Sequence, residues 1–332
     1  MDQLFQLLKL DIIPPKITHI IWDYDGVLTD KRDLNPECLK LLALLGKMGV
    51  KHAFVSGRES DFLKKNIFSV VDGKHIGGNF VFLGELGATE SGFLQETRWT
   101  QDWKNHPIMD PGFRQEIHAL FSNWEYLSQI KETESSFKAM DYRSRPIFFP
   151  KNPDMPFPEF EWYEEKTVVM SVTAIRDAEL KTIPSFIAKR EKIAQTIEKI
   201  IEKRDLQNHI SVVIAATAID IAPKIDGRIM EKDHGAAIAV AHWIAEEKEN
   251  PIMGAVCFGD SRADIKMCEP FNGKILGKMP IFFVGRQDEY KQIESSPLVA
   301  AASMGALGQN PDIIGSRVTI DILQWLLEKG KF

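Results

Sequence analysis

The strongest constraint on the fold is a change of hydrophobic period that repeats in two separate parts of the chain. The run "THIIWD", residues 18–23, is almost continuously apolar, as a strand buried on both faces requires. "NPECLKLLALLGKMG" then places apolar residues at helical spacing between an Asn35-Pro36 start and a Gly49 stop. "VKHAFVSG", "RESDFLKKNIFSVV" and "NFVFLGELGA" continue as strand, helix and strand. The texture returns after about residue 230: "KDHGAAIAVAHWIAEEKE" reads as a helix, "MGAVCFGD" as a strand, "RADIKMCEPF" as a short helix, "MPIFFVG" as a strand and "IGSRVTIDILQWLLEKG" as a terminal helix. Such alternation predicts a parallel sheet covered on both faces, so the two blocks read as halves of one doubly wound α/β domain.

Between them the pattern differs. "RWTQDWKNHPIMDPGFRQEIHALFSNW" begins a helical region, and "YRSRPIFFPKNPDMPFPEFEW" is a proline- and aromatic-rich connector. "KTVVMSVTAI" is a strand, and "IPSFIAKREKIAQTIEKIIEKRD" is an amphipathic helix with its stripe at Ile187, Ile193, Ile197, Ile200 and Ile201. "HISVVIAATAIDIAP" is a hairpin turning near Ala215 to Thr217. The expected organisation is a core of residues 1–91 and 223–332 interrupted by an α+β module of residues 92–222. The opening "MDQLFQLLKLDIIPP" is expected to form a short amphipathic helix ended by Pro14-Pro15 rather than a signal peptide.

At 332 residues, 44% of them hydrophobic and 27% charged, the chain has material for two domains. Its net charge of −6 is dispersed, which points away from a nucleic-acid or membrane surface. Cys38, Cys257 and Cys268 lack metal-site spacing and read as free buried thiols of a reducing compartment. No apolar run reaches the length of a membrane span, so a cytoplasmic location is expected.

In open parallel sheets, ligands bind beyond the carboxyl ends of the strands, and polar residues gather there in this sequence. The first strand delivers Asp23 and Asp25, one residue apart and so able to point the same way, with Gly26 permitting a sharp turn. The second delivers Ser56, Gly57 and Arg58 at a helix start, where a hydroxyl and free N–H groups suit a phosphate. "CFGDSRAD" supplies Asp260 and Asp264, and Lys232 precedes a helix, with Lys224 as a competitor for its role. Carboxylates alone would repel a phosphate ester, whereas carboxylates around magnesium make a workable site. One aspartate can then act as nucleophile and another can protonate the leaving oxygen and activate water, with Lys232 and Ser56 holding phosphoryl oxygens.

"DYDGVLTD", "SGR", a lysine before a helix and "GDSRAD" together resemble the four motifs of the haloacid dehalogenase-like hydrolase superfamily, over about half of the chain. The resemblance implies a doubly wound, Rossmann-like core with an inserted α+β cap, and a magnesium-dependent phosphatase. It implies Asp23 as nucleophile and Asp25 as general acid/base. Ser56, Gly57 and Lys232 would bind phosphate, and Asp23, Asp25, Asp260 and Asp264 would form the Mg2+ site, Asp25 through its backbone carbonyl and Asp264 in support. The insert "WYEEKTVVMSVTAIRDAE" is similar to the cap segment of trehalose-6-phosphate phosphatases, which implies sugar contacts from Glu164 and Lys166 and retention of that family's arginine at Arg176. Ala174-Ile175 depart from its His-Tyr pair, and "EKDHG" separates the lysine from the glycine. The implied partner is a small sugar phosphate: trehalose 6-phosphate, or a sucrose-, mannosylglycerate- or hexose-phosphate type. The same core also serves phosphotransferases and mutases, and a non-catalytic binding protein would be expected to lose one of these acidic or basic residues.

Overall fold

A computed structural model describes residues 4–30, 33–68, 77–92, 96–121, 160–163, 166–174, 184–214, 218–247, 252, 254–268 and 279–332. The strands, in chain order, are β1 (Phe5–Leu7), β2 (His19–Trp22), β3 (Thr29–Asp30), β4 (Asp33–Leu34), β5 (Lys51–Val55), β6 (Phe80–Gly84), β7 (Thr89–Gly92), β8 (Arg98–Trp99), β9 (Phe160–Tyr163), β10 (Met170–Ala174), β11 (Ile210–Ile214), β12 (Ala218–Ile225), β13 (Arg228–Ile229), β14 (Ala255–Gly259), β15 (Ile281–Phe283) and β16 (Val299–Ser303). The helices are α1 (Pro36–Lys47), α2 (Ser60–Phe68), α3 (Pro111–His118), α4 (Pro184–Lys203), α5 (Lys232–Glu247), α6 (Gln287–Tyr290) and α7 (Ser316–Glu328). The chain divides into two units, Met1–Gln101 with Glu231–Phe332, and Asp102–Met230.

The first unit holds one sheet in the order β1-β16-β15-β14-β2-β5-β6-β7-β8. The six strands from β16 to β6 run parallel, and β1, β7 and β8 are antiparallel additions at the edges. Alternate side chains of one strand enter different cores, which is what a doubly wound sheet requires. Ile20 and Trp22 join Phe54, Phe82 and Phe258 against Leu39 and Leu42 of α1 and Val318 and Ile322 of α7. Ile21, between them, joins Val55, Leu83 and Cys257 against Ala236, Ala239 and Trp243 of α5. On the first face the rings of Phe282, Phe258 and Trp22 lie 5.0 and 4.6 Å apart between centroids. Helix α1 starts as its sequence dictates: the Asn35 side chain accepts from Glu37 N–H, and Pro36 occupies the first turn.

Two parts of the sequence reading are corrected here. The N-terminal segment is not a helix: Phe5 and Leu7 pair with Ser303 and Ala301 as strand β1, and only Leu10–Ile12 forms a 3-10 turn. Pairing with β16 buries Phe5 and sets its ring 6.1 Å from Trp325, a tertiary gain that a marginal three-turn helix could not match. The stretch after Arg98 opens with strand β8, not a helix, and helix α3 begins only at Pro111, where Asp110 caps the Phe113 N–H at 2.6 Å.

The second unit carries a sheet in the order β11-β12-β10-β9, all antiparallel, with β13 paired to β12. Ile193, Ile197 and Ile201 of α4 are buried, Ile200 is partly so, and the Ile187 side chain lies outside the described residues. The predicted hairpin is β11–β12, with Ile214 opposite Ile219; its turn, residues 215–217, lies outside the described residues.

The sheet core encloses His52, whose Nδ1 accepts from the Trp22 indole N–H at 3.0 Å. Burial, with His19 beside it, pushes its pKa down to about 3. An unfolded His52 gains a proton below about pH 6.5 while the folded one stays neutral, so its contribution to stability is complete above that pH and declines as pH falls toward 3. Between pH 6.5 and 5 the wild type should lose about 2 kcal/mol more unfolding free energy than a His52→Gln variant. Denaturant titrations at the two pH values measure this, and equal losses would mean that His52 is not buried neutral.

Candidate active site

Three adjacent parallel strands, β14, β2 and β5, end side by side, and each delivers a polar residue immediately beyond its last apolar one. Asp23 follows Trp22, and its N–H donates to Phe258 O at 3.0 Å, carrying the ladder one residue past the strand. Ser56 follows Val55, with its N–H on Leu83 O at 3.1 Å, and Asp260 follows Gly259. Lys232 arrives from elsewhere, as the first residue of α5.

These groups are mutually dependent. The Lys232 ammonium lies 2.7 Å from Asp23 Oδ1 and 2.5 Å from Asp264 Oδ1. Asp264 Oδ2 accepts from the N–H groups of Asp260 and Ser261 and from the Ser261 hydroxyl at 2.8–2.9 Å, so both of its oxygens are engaged in holding other parts of the site. Glu231, next to Lys232, and Lys266, two residues past Asp264, pair with each other and tie the same two segments together. Burial alone would lower the Lys232 pKa, but the charges of Asp23 and Asp264 and their hydrogen bonds outweigh it and hold the ammonium above its usual value. Burial, opposed by Lys232 and reinforced by Asp264 and Asp260, raises the Asp23 carboxyl well above the carboxylate range. Burial and the Asp264 charge push Asp260 up to about 7, against the pull of Lys232 and a hydrogen bond with Asp23.

The raised carboxyls mark negative charge that one ammonium leaves uncompensated. Asp23, Asp260 and Asp264 each bring an oxygen within 4.8 Å of the others. Hard oxygen donors crowded this way fit a divalent cation of the magnesium type. Because both oxygens of Asp264 are already engaged, Asp23 and Asp260 are the two that would be left to ligate such an ion directly. Glycine makes the crowding possible: a Cβ on Gly26, whose φ is +76°, would stand 2.0 Å from Asp260 Oδ2, and one on Gly259 would stand 2.3 Å from Asp264 Cβ.

Asp25 is set apart from this cluster. Its carboxylate is half-exposed and accepts from Arg58 Nε at 2.7 Å and Nη2 at 2.8 Å. Ser56 is buried and its hydroxyl accepts from Arg58 N–H at 3.2 Å, while a Cβ on Gly57 would meet open space. Lys224 belongs to β12 in the other unit, where its ammonium donates to Gln207 O at 2.7 Å. Lys166 is engaged in its own unit, 3.1 Å from Asp220 and hydrogen-bonded to Ser171, which in turn bonds Asp220. Glu164 and Arg176 lie outside the described residues. Sequence reasoning brought Arg58 to the site through "SGR" but did not pair it with Asp25, and it missed the Ser261 hydroxyl, which directly follows Asp260 in "FGDSRAD".

No protein-family model matches the chain, and no curated protein matches it. Among solved structures it is similar to the sucrose-phosphatase from Synechocystis sp. PCC6803, at 11% identity over 95% of this chain and 98% of that one, with a TM-score of 0.47. It is similar to a haloacid dehalogenase-like hydrolase from Bacteroides thetaiotaomicron, at 14% identity over 84% and 99%, TM-score 0.47. Trehalose-6-phosphate phosphatase from Aspergillus fumigatus is similar at 16% identity over 93% of each chain, TM-score 0.42. The residue placements in this chain rest on its own contacts.

The Gly26 contact yields a direct check. Gly26→Ala should weaken magnesium binding about tenfold or more, because the added methyl displaces the Asp260 carboxylate. Gly78→Ala, whose Cβ meets open space, should bind as the wild type does. Calorimetric titration with Mg2+ reads both, and equal affinities would remove Asp260 from the cation site.

Proposed function

We propose that this chain is a magnesium-dependent phosphatase that hydrolyses a sugar phosphate through an aspartyl phosphate on Asp23. The observation that carries this reading is the Lys232 ammonium seated between Asp23 and Asp264 with Asp260 alongside, where three segments distant in sequence converge at the carboxyl edge of the sheet.

An Asp23 oxygen attacks phosphorus, forming the acyl phosphate as the ester oxygen leaves, and Asp25 gives that oxygen its proton. Water then attacks phosphorus, Asp25 takes the water's proton, and the bond between phosphorus and Asp23 breaks to release phosphate. Lys232 steadies the nucleophile in the resting enzyme and the charge on the phosphoryl group as the bond forms, and Ser56 and Gly57 are proposed to hold further phosphoryl oxygens. When bound, Mg2+ would be held by Asp23 and Asp260 and would offset the repulsion between carboxylates and phosphate.

The unit Asp102–Met230 is proposed to select the sugar, with trehalose 6-phosphate as the substrate and Glu164, Lys166 and Arg176 as its contacts. The Lys166–Asp220–Ser171 cluster supports the presence of organised donors and acceptors in that unit. A cytosolic location accords with this substrate.

With Mg2+, the wild type should release phosphate from trehalose 6-phosphate in preference to other sugar phosphates, and a chelator should abolish release. Asp23→Asn should lose at least about a thousandfold in kcat on any substrate, including an aryl phosphate. Wild-type turnover by Asp23→Asn would refute the covalent route. A preference for a non-sugar ester would refute the substrate class, and transfer of the phosphoryl group to a second sugar instead of water would make the enzyme a phosphotransferase.

A further inference from the structure

We propose that the turn Glu85-Leu86-Gly87 is the spacer that sets Ser56 relative to Lys232, with Leu86 as its positioning residue. The inference rests on the reading above, in which Ser56 and Lys232 hold oxygens of one phosphoryl group, and adds the element that keeps the two in step.

The turn joins β6 to β7, whose last facing pair is Gly84 and Thr89, and it lies at the carboxyl edge of the sheet beside the end of β5. On one side its backbone holds the segment Ser56-Gly57-Arg58. The Leu86 N–H donates to Ser56 O at 2.9 Å, and the Glu85 N–H donates to Arg58 O at 2.7 Å. On the other side it meets the first turn of α5: a Cβ on Gly87 would stand 2.6 Å from Gly235 Cα and 2.7 Å from Gly235 N. Gly235 follows Lys232 by three residues, so the contact falls within one helical turn of the ammonium's own backbone. At the head of the turn, a Cβ on Gly84 would stand 2.1 Å from Ser60 N and 2.7 Å from Arg58 O. Backbone thus meets backbone on both sides, and a shift of the turn is passed on with no side-chain rotamer to absorb it.

Closing a hairpin does not account for the conformation. Glu85, Leu86 and Gly87 have φ of 51°, 63° and 100°, three positive values in succession of which two are not glycine. A four-residue hairpin loop is most often built on a type I turn, whose central residues have negative φ. Among the described residues the other non-glycines with positive φ are Asp205 and Asp226, and aspartate tolerates that region through local hydrogen bonds of its short side chain. Leucine has no such compensation. Its φ is also the torsion that separates the two contacts. A negative value with the Leu86 amide kept on Ser56 would send Gly87 away from Gly235, and one with Gly87 kept in place would take the amide off Ser56. The strain is therefore held by the two segments whose spacing it sets, which is how backbone strain persists at functional sites.

Inorganic phosphate, as a competitive inhibitor of aryl phosphate hydrolysis with Mg2+, reads the spacing. Leu86 is only partly buried, so a β-branched residue there changes the backbone preference more than the packing. In Leu86→Val, inhibition by phosphate should weaken about tenfold as the Ser56 segment shifts. Calorimetric affinity for Mg2+ should stay within about twofold, because Asp23 and Asp260 do not touch the turn. Leu86→Gly deletes the whole side chain but accepts the positive φ, so its phosphate inhibition should stay within about twofold of the wild type. Leu86→Thr, with the same backbone preference, replaces the valine variant if that one does not fold. Unchanged inhibition in Leu86→Val, an equal loss in Leu86→Gly, or a matching loss of Mg2+ affinity would overturn the proposal while leaving the phosphatase reading intact. A wild type that releases no phenol from an aryl phosphate with Mg2+ would overturn both.

Discussion

A lysine at the first turn of a helix opposes the positive end of the helix dipole, and burying it adds a desolvation penalty of several kcal/mol. Lys232 accepts both conditions, so something must hold it there, and the holders are Asp23 and Asp264. The dependence is reciprocal. Without the ammonium the two buried carboxylates face each other and Asp260 with no counter-charge; without them the helix start loses its anchor. The remaining contacts of the site serve this arrangement. The amides of Asp260 and Ser261 hold Asp264, Glu231 and Lys266 bridge the flanking residues, and Gly26 and Gly259 leave room for the carboxylates to crowd.

The sheet order explains why these groups can meet. Asp23 and Asp260 are far apart in sequence but follow strands that are neighbours, β2 and β14, paired from His19 opposite Ala255 to Trp22 opposite Phe258. The last pair of that register is a pair of stacked rings, so the apolar core fixes the relative height of the two strands one residue before the chemistry starts. Because the period of a strand is two, a slip of one residue would turn Trp22 out of its core and Asp23 away from Lys232 together. The core and the site are thus set by one register.

What could be read in the sequence follows from the same physics. Carboxylates at the end of a fully apolar run have no packing reason to be there, so Asp23 and Asp260 are conspicuous. Strand β16, "VAAAS", is not: alanine has little preference for strands and the run has no alternation, and it becomes a strand because all five residues are buried between β15 and β1. Segment β1 misleads for a related reason, since the apolar residues around it satisfy a helical period while Phe5 and Leu7 pair with that strand. Lys166 shows the limit for single side chains: its charge and spacing are visible in the sequence, but its engagement with Ser171 and Asp220 depends on β10 and β12 lying opposite each other. The fork between Arg58 and Asp25 is hidden for the same reason, because nothing in "SGR" says which carboxylate the arginine will meet.

Asp23 and Asp25 are one residue apart and chemically identical, so any difference in their work has to come from what surrounds them. Asp23 is buried against a lysine and shares its space with two more carboxylates, surroundings in which a negative charge is costly unless a cation or a bond to phosphorus relieves it. Asp25 is half-exposed, facing a planar guanidinium that accommodates a carboxylate and in reach of solvent from which protons come and go. The first environment suits a group that forms and breaks a covalent bond, and the second a group that exchanges protons. Two carboxylates held in unlike surroundings by the turn at Gly26 are thereby suited to the separate roles proposed for them, and that difference follows from burial and counter-ion alone.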